Sequence, residues 1–357
     1  MRFPILIFIL VTLSFDACNT VEDSMPISNT PEVPEEVTFE EGLFVINEGN
    51  FDWGHGTLSF KKYESDSVYE EIYKQRNDFE LGNVAQSMTI IGEKGYICVN
   101  NSERVDIIET KTAKWIGRIE IPRSSPRYLL PIDENKAYIT ELYADRFYVL
   151  NLDSNTIQKE VRTSGWTEKM CKVGDFVYMT QTRTVYDSRK GGQFLLKINA
   201  QTDAIVDSLA LPYGPIDLQV DKNDKIWVLC NGGLVQLTPA IVQVDPIQFE
   251  IIKTLDLSAN DYLSMPSRLR INKEKDILYY IQKDVFALPI ETSTPTSIIP
   301  KEKRLFYGLG VSPRNNDIYV ADAIDYVQKG WIFKYNQEGV KLDSFKVGVI
   351  PNEIVFQ

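Results

Sequence analysis

The chain has 357 residues, of which 43% are hydrophobic and 25% are charged, as is ordinary for a globular protein. Its formal net charge of −12 and its single histidine exclude several classes of function. Nucleic acid and anionic membrane surfaces attract clustered Lys and Arg, and one histidine cannot complete the usual zinc sites. We therefore expect no nucleic-acid partner, no bound metal and a membrane contact through an anchor only.

The N-terminus has the pattern of an export signal. Arg2 precedes an apolar stretch over residues 3–13 that is too short to span a bilayer, and Ala17 stands directly before Cys18. A small residue before a cysteine at this place resembles the lipobox of bacterial lipoproteins, with an ordinary secretory peptide as the alternative. We predict a signal peptide over residues 1–17, lipid attachment at Cys18 and a location at the cell outer membrane.

The next segment, residues 18–42, is rich in Pro, Glu, Ser and Thr and has little to bury. This composition predicts a disordered tether behind the lipidated cysteine. The acidic pair Glu22 and Asp23 resembles the signal that exports some lipoproteins to the cell surface, although a solvated tether explains these charges equally well. The folded domain is then expected over residues 43–357.

One strand pattern recurs along the folded part, in which an aromatic residue opens a short apolar strand that ends in polar residues. Consecutive copies are 40 to 52 residues apart, as from Tyr138 to Tyr178 and from Phe44 to Tyr96. The aromatic residues of the seven copies are Phe44, Tyr96, Tyr138, Tyr178, Trp227, Tyr279 and Tyr319. This period is that of a four-stranded propeller blade, so the sequence predicts an all-β, seven-bladed β-propeller.

The C-terminal residues predict how the propeller closes. Pro351–Gln357 look like the innermost strand of a blade, yet no further blade follows them. The first copy of the repeat, at Phe44, has no such strand before it. We therefore expect the C-terminal strand to pair with the first blade, which joins the two ends of the chain and removes an open sheet edge.

The remaining motifs favour structural roles over chemistry. The run from Asp221 to Asp224 lacks the later glycine and glutamate of a calcium loop and predicts a β-turn. His55 has no Gly-x-Ser-x-Gly motif to accompany it, so we expect a loop residue or a ligand contact and not a catalytic base. Buried free thiols are expected, with one disulfide as the alternative, at Cys98, Cys171 and Cys230. The sequence predicts no catalytic residue and no cofactor.

The succession of a proline, a polar turn and a Tyr-Val strand over Pro313–Asp322 resembles the YncE-type propellers, and this likeness covers nearly all of residues 43–357. The opening Gly42–Asn50, soon followed by Gly56–Ser59 behind Cys18, is similar to the envelope lipoproteins of the BtuG type. That resemblance implies surface capture of cobalamin or another corrinoid and its delivery to an outer-membrane TonB-dependent transporter, without catalysis.

The candidate site follows from strand geometry. In four-stranded blades, the loops after the second strands and those before the innermost strands meet on one face, which we call the loop face. Its aromatic, amide and arginine side chains suit a large, flat ligand with a polar edge. After the second strands we predict contacts at Asn47, Glu48, Asn50, Phe51, Trp53, His55, Asn100, Asn101, Glu141, Tyr143, Arg146, Gln181, Arg183, Tyr186, Asn231, Asp322, Asp325 and Tyr326. Before the innermost strands we predict Arg127, Trp166, Tyr213, Arg268 and Tyr307, with Asn83, Gln86 and Asn352 on the same face.

Two other functions stay open beside small-molecule capture. The loop face could instead dock a transporter or another envelope protein. An enzyme of the lactonase or hydrolase type is the third possibility, but such propellers hold calcium at their axis, and the sequence has no recognisable set of calcium ligands. We expect a binding protein and not an enzyme.

Overall fold

The computed structural model describes residues 34, 36–51, 54–182, 193–232, 238–258 and 264–357. Their strands form seven antiparallel sheets of four strands each, arranged in a ring, so the predicted seven-bladed β-propeller is confirmed. Within these ranges, no helix combines the length and the hydropathy that crossing a membrane requires.

The blades follow one another along the chain. Blades 2 to 7 each run from the innermost to the outermost strand, whereas blade 1 takes its innermost strand from the C-terminus. Blade 1 begins with β1 (Gly42–Asn47), β2 (Thr57–Lys62) and β3 (Val68–Tyr69), followed by the short helix α1 (Ile72–Asn77). Blade 2 contains β4 (Ala85–Ile91), β5 (Lys94–Val99), a 3-10 turn at Asn100–Ser102, β6 (Arg104–Glu109) and β7 (Trp115–Glu120). Blade 3 contains β8 (Pro126–Pro131), β9 (Lys136–Glu141), β10 (Arg146–Asn151) and β11 (Thr156–Arg162).

The second half of the ring repeats this arrangement. Blade 4 contains β12 (Trp166–Val173), β13 (Phe176–Thr182), β14 (Phe194–Asn199) and β15 (Ile205–Ala210). Blade 5 contains β16 (Pro215–Val220), β17 (Ile226–Cys230), β18 (Ala240–Asp245) and β19 (Glu250–Asp256). Blade 6 contains β20 (Ser267–Ile271), β21 (Ile277–Gln282), β22 (Asp284–Pro289) and β23 (Thr296–Ile299). Blade 7 contains β24 (Phe306–Val311), β25 (Ile318–Asp322), β26 (Lys329–Tyr335) and β27 (Lys341–Val349), after which β28 (Pro351–Phe356) returns to blade 1.

The second strand of each blade is apolar because the neighbouring blades cover both of its faces. The seven aromatic residues of the repeat all lie in these strands and are at most 4% exposed. One hydrophobic cluster fills each boundary between adjacent blades. The outermost strands have solvent on one side, and their burial alternates accordingly, as in β19.

The C-terminal strand closes the ring as predicted. Strand β28 pairs antiparallel with β1, with Leu43 opposite Phe356 and Val45 opposite Ile354. Ile354 is buried in the cluster that joins blade 7 to blade 1, together with Leu43 and Tyr319. Strand β1 is therefore paired on both edges, with β28 and with β2, and blade 1 is built from the two ends of the domain.

The residues just before β1 pack against the propeller, although the sequence predicted a disordered tether as far as residue 42. Phe39 is completely buried, with its ring edge-on to Phe60 at 5.3 Å and to Tyr69 at 5.8 Å. Its backbone N–H donates to the Lys111 carbonyl at 2.8 Å. A single large apolar side chain thus anchors this segment at the boundary of blades 1 and 2. The predicted signal peptide and the predicted lipidation site, Cys18, lie outside the described residues.

The other structural motifs occupy the places expected of them. Cys98 and Cys230 are buried and Cys171 is partly buried, each as a free thiol. Burial raises the pKa of Cys98 to about 12, which keeps this thiol protonated. Asp221 begins a turn, since its Oδ1 accepts the Asn223 N–H at 2.8 Å, and its Oδ2 accepts the indole N–H of the blade 5 aromatic residue at 2.8 Å.

Candidate functional site

A β-bulge interrupts the start of the innermost strand in every blade. At this point the pairing register with the second strand shifts in all seven sheets. A bulge bends its strand and re-aims the side chain at the extra residue. We call the bulge residues at the loop face, one from each blade, the axial ring: Gln86, Arg127, Glu168, Ile216, Arg268, Tyr307 and Asn352.

Hydrogen bonds join the first part of the axial ring across blade boundaries. Arg127 donates from Nε to Glu168 Oε2 at 3.1 Å and from Nη1 to Gln86 Oε1. Asn352 donates from Nδ2 to the Gln86 carbonyl at 2.8 Å. Burial by itself would lower the pKa of Arg127, but the Glu168 carboxylate raises the pKa above its usual value. Arg127 is therefore a permanent cation that is held in place on both sides.

The second arginine of the axial ring, Arg268, joins blades 6, 7 and 1. It donates from Nε to the Tyr307 carbonyl at 2.9 Å and from Nη2 to Asn352 Oδ1. Glu48, which follows β1, accepts the Tyr307 hydroxyl at 3.0 Å. Burial raises the pKa of Glu48, and the nearby Arg268, Tyr307 and Arg127 oppose that rise. The centre of the loop face thus combines two guanidinium groups with one buried carboxyl group.

A salt bridge spans the propeller axis next to the axial ring. Lys169 of blade 4 lies 3.2 Å from Glu353 Oε1 of β28, and blades 4 and 1 stand on opposite sides of a seven-membered ring. The Lys169 ammonium also lies 3.6 Å from the centre of the Tyr128 ring, while the other oxygen of Glu353 accepts the Met88 N–H at 3.1 Å. These contacts cross the axis, so the centre of the loop face has a polar floor.

Two aromatic pairs stand on opposite sides of that floor. Tyr143 meets Trp166 edge-on at 5.0 Å, at the boundary of blades 3 and 4, and Tyr307 meets Tyr326 edge-on at 5.7 Å in blade 7. In a ring of seven, blade 7 lies opposite the boundary of blades 3 and 4. Tyr143 and Tyr326 are 66% and 42% exposed and have φ of 76° and 64°. Bulky residues rarely adopt positive φ, and such strain concentrates at functional loops.

The remaining predicted contacts divide into two groups. The first group lies around the rim, exposed or partly buried: Asn50, Phe51, His55, Asn101, Tyr213, Asn231 and Asp325. The second group is buried or bound within the loops that end the second strands: Asn47, Asn100, Glu141, Arg146, Gln181 and Asp322. Asn47 donates to Ser59 Oγ at 3.1 Å, and Gln181 donates to Ser164 Oγ at 2.9 Å. These side chains shape the loop face from beneath and offer a ligand little surface.

Glu141 has the most unusual environment of this second group. Its carboxylate accepts the Ser125 N–H at 2.9 Å, and its own N–H donates to Thr167 Oγ1 at 2.8 Å in the next blade. Burial raises the pKa of Glu141 to about 7, although the Ser125 hydrogen bond and Arg146 oppose the rise. Glu141 therefore braces the blade boundary that carries the pair Tyr143 and Trp166.

Three predicted contacts lie in segments that the structure does not describe, and three charged residues of the site were not predicted. The predicted contacts Trp53, Arg183 and Tyr186 lie outside the described residues. The sequence patterns did not predict three charged residues at or just after the bulges, namely Glu168, Lys169 and Glu353. Their only signal is their place two or three residues after the start of an innermost strand. Across the described ranges, no cluster of three or more His, Cys, Asp or Glu side chains is placed to hold a metal ion.

The fold and the loop face define a seven-bladed β-propeller with polar groups at its axis and aromatic groups around them. A family model described as a domain of unknown function, DUF5074, matches residues 41–356. The chain belongs to the DUF5074 family. No curated protein matches the sequence.

Several solved structures share the fold at low sequence identity. A quinonprotein alcohol dehydrogenase-like protein from Bacteroides thetaiotaomicron has a TM-score of 0.69 and 14% identity, over 90% of this chain and 79% of that one. A protein from Lactobacillus plantarum has a TM-score of 0.67 and 11% identity, over 88% and 99% of the two chains. Hydrazine synthase from Kuenenia stuttgartiensis has a TM-score of 0.62 and 10% identity, over 75% and 88%. These similarities show a common propeller architecture only.

Proposed function

We propose that this protein is a cell-envelope lipoprotein that binds a corrinoid such as cobalamin on its loop face. In this proposal a lipid on Cys18 holds the propeller at the outer membrane, exposed at the cell surface. The bound molecule then passes to an outer-membrane TonB-dependent transporter, with no catalytic step and no cofactor. Support comes from the similarity of Gly42–Asn50 to the BtuG-type lipoproteins and from the chemistry of the loop face.

The observation that carries the proposal is the pair of aromatic walls on opposite sides of a polar floor. Tyr143 with Trp166 forms one wall, and Tyr307 with Tyr326 forms the other. A corrinoid is a broad macrocycle with amide groups along its edge. Aromatic side chains can cover the apolar faces of such a molecule, while amide and arginine groups can pair with its edge.

The salt bridge across the axis favours binding on the loop face over passage along the axis in this proposal. Lys169 and Glu353 join across the axis, and Arg127 is paired with Glu168. Charged groups that are fixed by partners in this way form a rigid floor. Rigid, preorganised surfaces bind tightly because little ordering is needed on association.

The proposal is tested by isothermal titration of the whole chain with cobalamin and cobinamide. Trp166→Ala and Tyr326→Ala should each weaken cobalamin binding by about 1–3 kcal/mol, which is roughly 5- to 150-fold. Trp115→Ala is the matched control, because Trp115 lies in the outermost strand of blade 2 and is 40% exposed. The absence of heat with either corrinoid would contradict the ligand. Loss of binding in the Trp115 variant alone would place the site on another surface.

A second candidate function is the docking of a protein partner on the same face. It is favoured by the exposed apolar side chains of Phe51, Ile324 and Val327, which lie in loops that follow second strands. Contiguous exposed apolar groups often mark protein interfaces. Docking would be the primary function if neither corrinoid bound while Val327→Asp abolished co-purification with the transporter.

A further inference from the structure

No described carboxylate forms a salt bridge with Arg268, and Glu48 and Asp217 act on its charge only from a distance. Its side chain makes two hydrogen bonds, to the Tyr307 carbonyl at 2.9 Å and to Asn352 Oδ1, and both acceptors are neutral. Within the described part of the chain, no carboxylate oxygen lies within 4.0 Å of its guanidinium nitrogens. By contrast, Arg127 pairs with Glu168 at 3.1 Å and Arg270 pairs with Asp217 at 2.9 Å. A buried cation is costly without compensation, and here the compensation comes from neutral acceptors and more distant carboxylates, which leave the guanidinium without a direct ion pair among the described residues.

The backbone at this position is also unusual within the axial ring. Arg268 has a φ of 56°, and it is the member of the axial ring that has a positive φ. Glycine adopts that conformation freely, whereas a long side chain is disfavoured there. Arg268 therefore carries a conformational cost at this bulge that glycine would not have, and the bulge fixes the direction in which its side chain leaves the strand.

With respect to the described residues, the guanidinium of Arg268 also has donors to spare. Of its five N–H groups, the two hydrogen bonds engage one on Nε and one on Nη2. Arg127 uses Nε and Nη1, so its Nη2 is likewise available. Both arginines act on Glu48, whose carboxyl group is held by the Tyr307 hydroxyl at 3.0 Å. Asp217 is the other nearby acid, and it is engaged by Arg270.

We propose that Arg268, assisted by Arg127, forms an oxyanion subsite at the centre of the loop face and that this subsite takes a phosphate or phosphodiester group. The planar guanidinium fork matches the spacing of two phosphate oxygens, which a lysine could not do. Glu48 limits the affinity, because its carboxylate competes with the anion for the same two arginines. The inference rests on the proposed function only in treating this face as a binding surface, and it requires no corrinoid.

The test is calorimetric titration of the whole chain with sodium phosphate and with dimethyl phosphate, at an ionic strength held constant by sodium chloride. Arg268→Met should weaken binding by about tenfold or more, since hydrogen bonds to a charged group are strong. Glu48→Gln should tighten binding severalfold, because it removes the competing charge and keeps an acceptor for Tyr307. Arg314→Met is the matched control, because Arg314 lies between β24 and β25 on the opposite face. It should bind as the wild type does.

The two anions distinguish the source of the group. Binding of dimethyl phosphate as tightly as phosphate would support a subsite for an esterified phosphate within a larger ligand, and binding of phosphate alone would support a free-phosphate subsite. The absence of binding for both anions, equal losses in the Arg268 and Arg314 variants, or no tightening in the Glu48 variant would overturn the subsite. Cobalamin binding without anion binding would overturn this inference alone, and anion binding without cobalamin binding would overturn the proposed ligand alone.

Discussion

The strand that closes the ring offers the sharpest test of the architecture, through the substitution Ile354→Ala. Ile354 is 7% exposed and packs between the second strands of blades 1 and 7. A Cβ atom placed on Gly310 of β24 would lie 3.0 Å from Ile354 Cβ, which shows how closely the two inner strands approach. The space left by the missing side-chain atoms therefore has little freedom to collapse.

The expected loss follows from the atoms removed. Replacing isoleucine by alanine deletes three carbon atoms at ~0.8 kcal/mol each, and the cavity adds to this, for a total of about 2–5 kcal/mol. The control is Ile252→Ala in the outermost strand of blade 5, where the side chain is 46% exposed. The control should lose less than about 1 kcal/mol.

Both variants are compared with the wild type by guanidinium unfolding followed by circular dichroism, with the free energy taken from midpoints at an unchanged slope. Deletion of residues 351–357 provides a second test, since it also leaves β1 with an unpaired edge. Equal losses in the Ile354 and Ile252 variants, or an unchanged melting temperature in the deletion, would refute the closure argument.

Three further predictions concern other parts of the chain. Phe39→Ala should lower the free energy of unfolding by about 3–5 kcal/mol, measured by chemical denaturation, because the ring is fully buried; an unchanged value would mean that the segment does not pack. In the folded protein the pKa of Glu141 is raised to about 7, so the folded state binds the proton more tightly than the unfolded state does. The stability that this proton contributes is fully present below pH 4.5 and is lost as the pH rises through 7. Glu141→Gln should remove roughly 3 kcal/mol of that decline between pH 4.5 and 8 in unfolding experiments, and an equal decline in both proteins would contradict the assignment. Metabolic labelling with a fatty acid should mark the wild type and not Cys18→Ser, and equal labelling would refute the anchor.

The framework of the fold could be predicted from the sequence because its signals are local. The second strands are covered on both faces, so they read as apolar runs that open with residues such as Phe44 and Tyr319. Their regular spacing defines the blades, and the unmatched final strand defines the closure. Phe39 was not predicted to be buried, because one aromatic residue within a polar segment gives no period and its partners, Phe60 and Tyr69, come from later strands.

The centre of the candidate site could be predicted only in part, because its geometry comes from bulges. A shift of one residue in pairing moves a side chain to the other side of a strand, and no residue pattern marks the shift. The bulge positions hold Ile216 as well as Arg127, so they share no chemistry that could be recognised in the sequence. The burial of Asn47 and Gln181 was not predicted for a similar reason. Their position at the end of a second strand placed them near the loop face, but it could not show that their side chains turn inward.

The salt bridge between Lys169 and Glu353 bears on how a ligand could enter and leave the protein. Under the proposed function, a ligand that does not pass this salt bridge enters and leaves through the loop face. The transporter would therefore receive the ligand at the loop face. It would do so either after the ligand dissociates spontaneously or by contacting the rim and weakening its hold on the ligand. The rate at which the ligand dissociates from the loop face would then limit its transfer. This rate would rise when a transporter contacts the same rim residues.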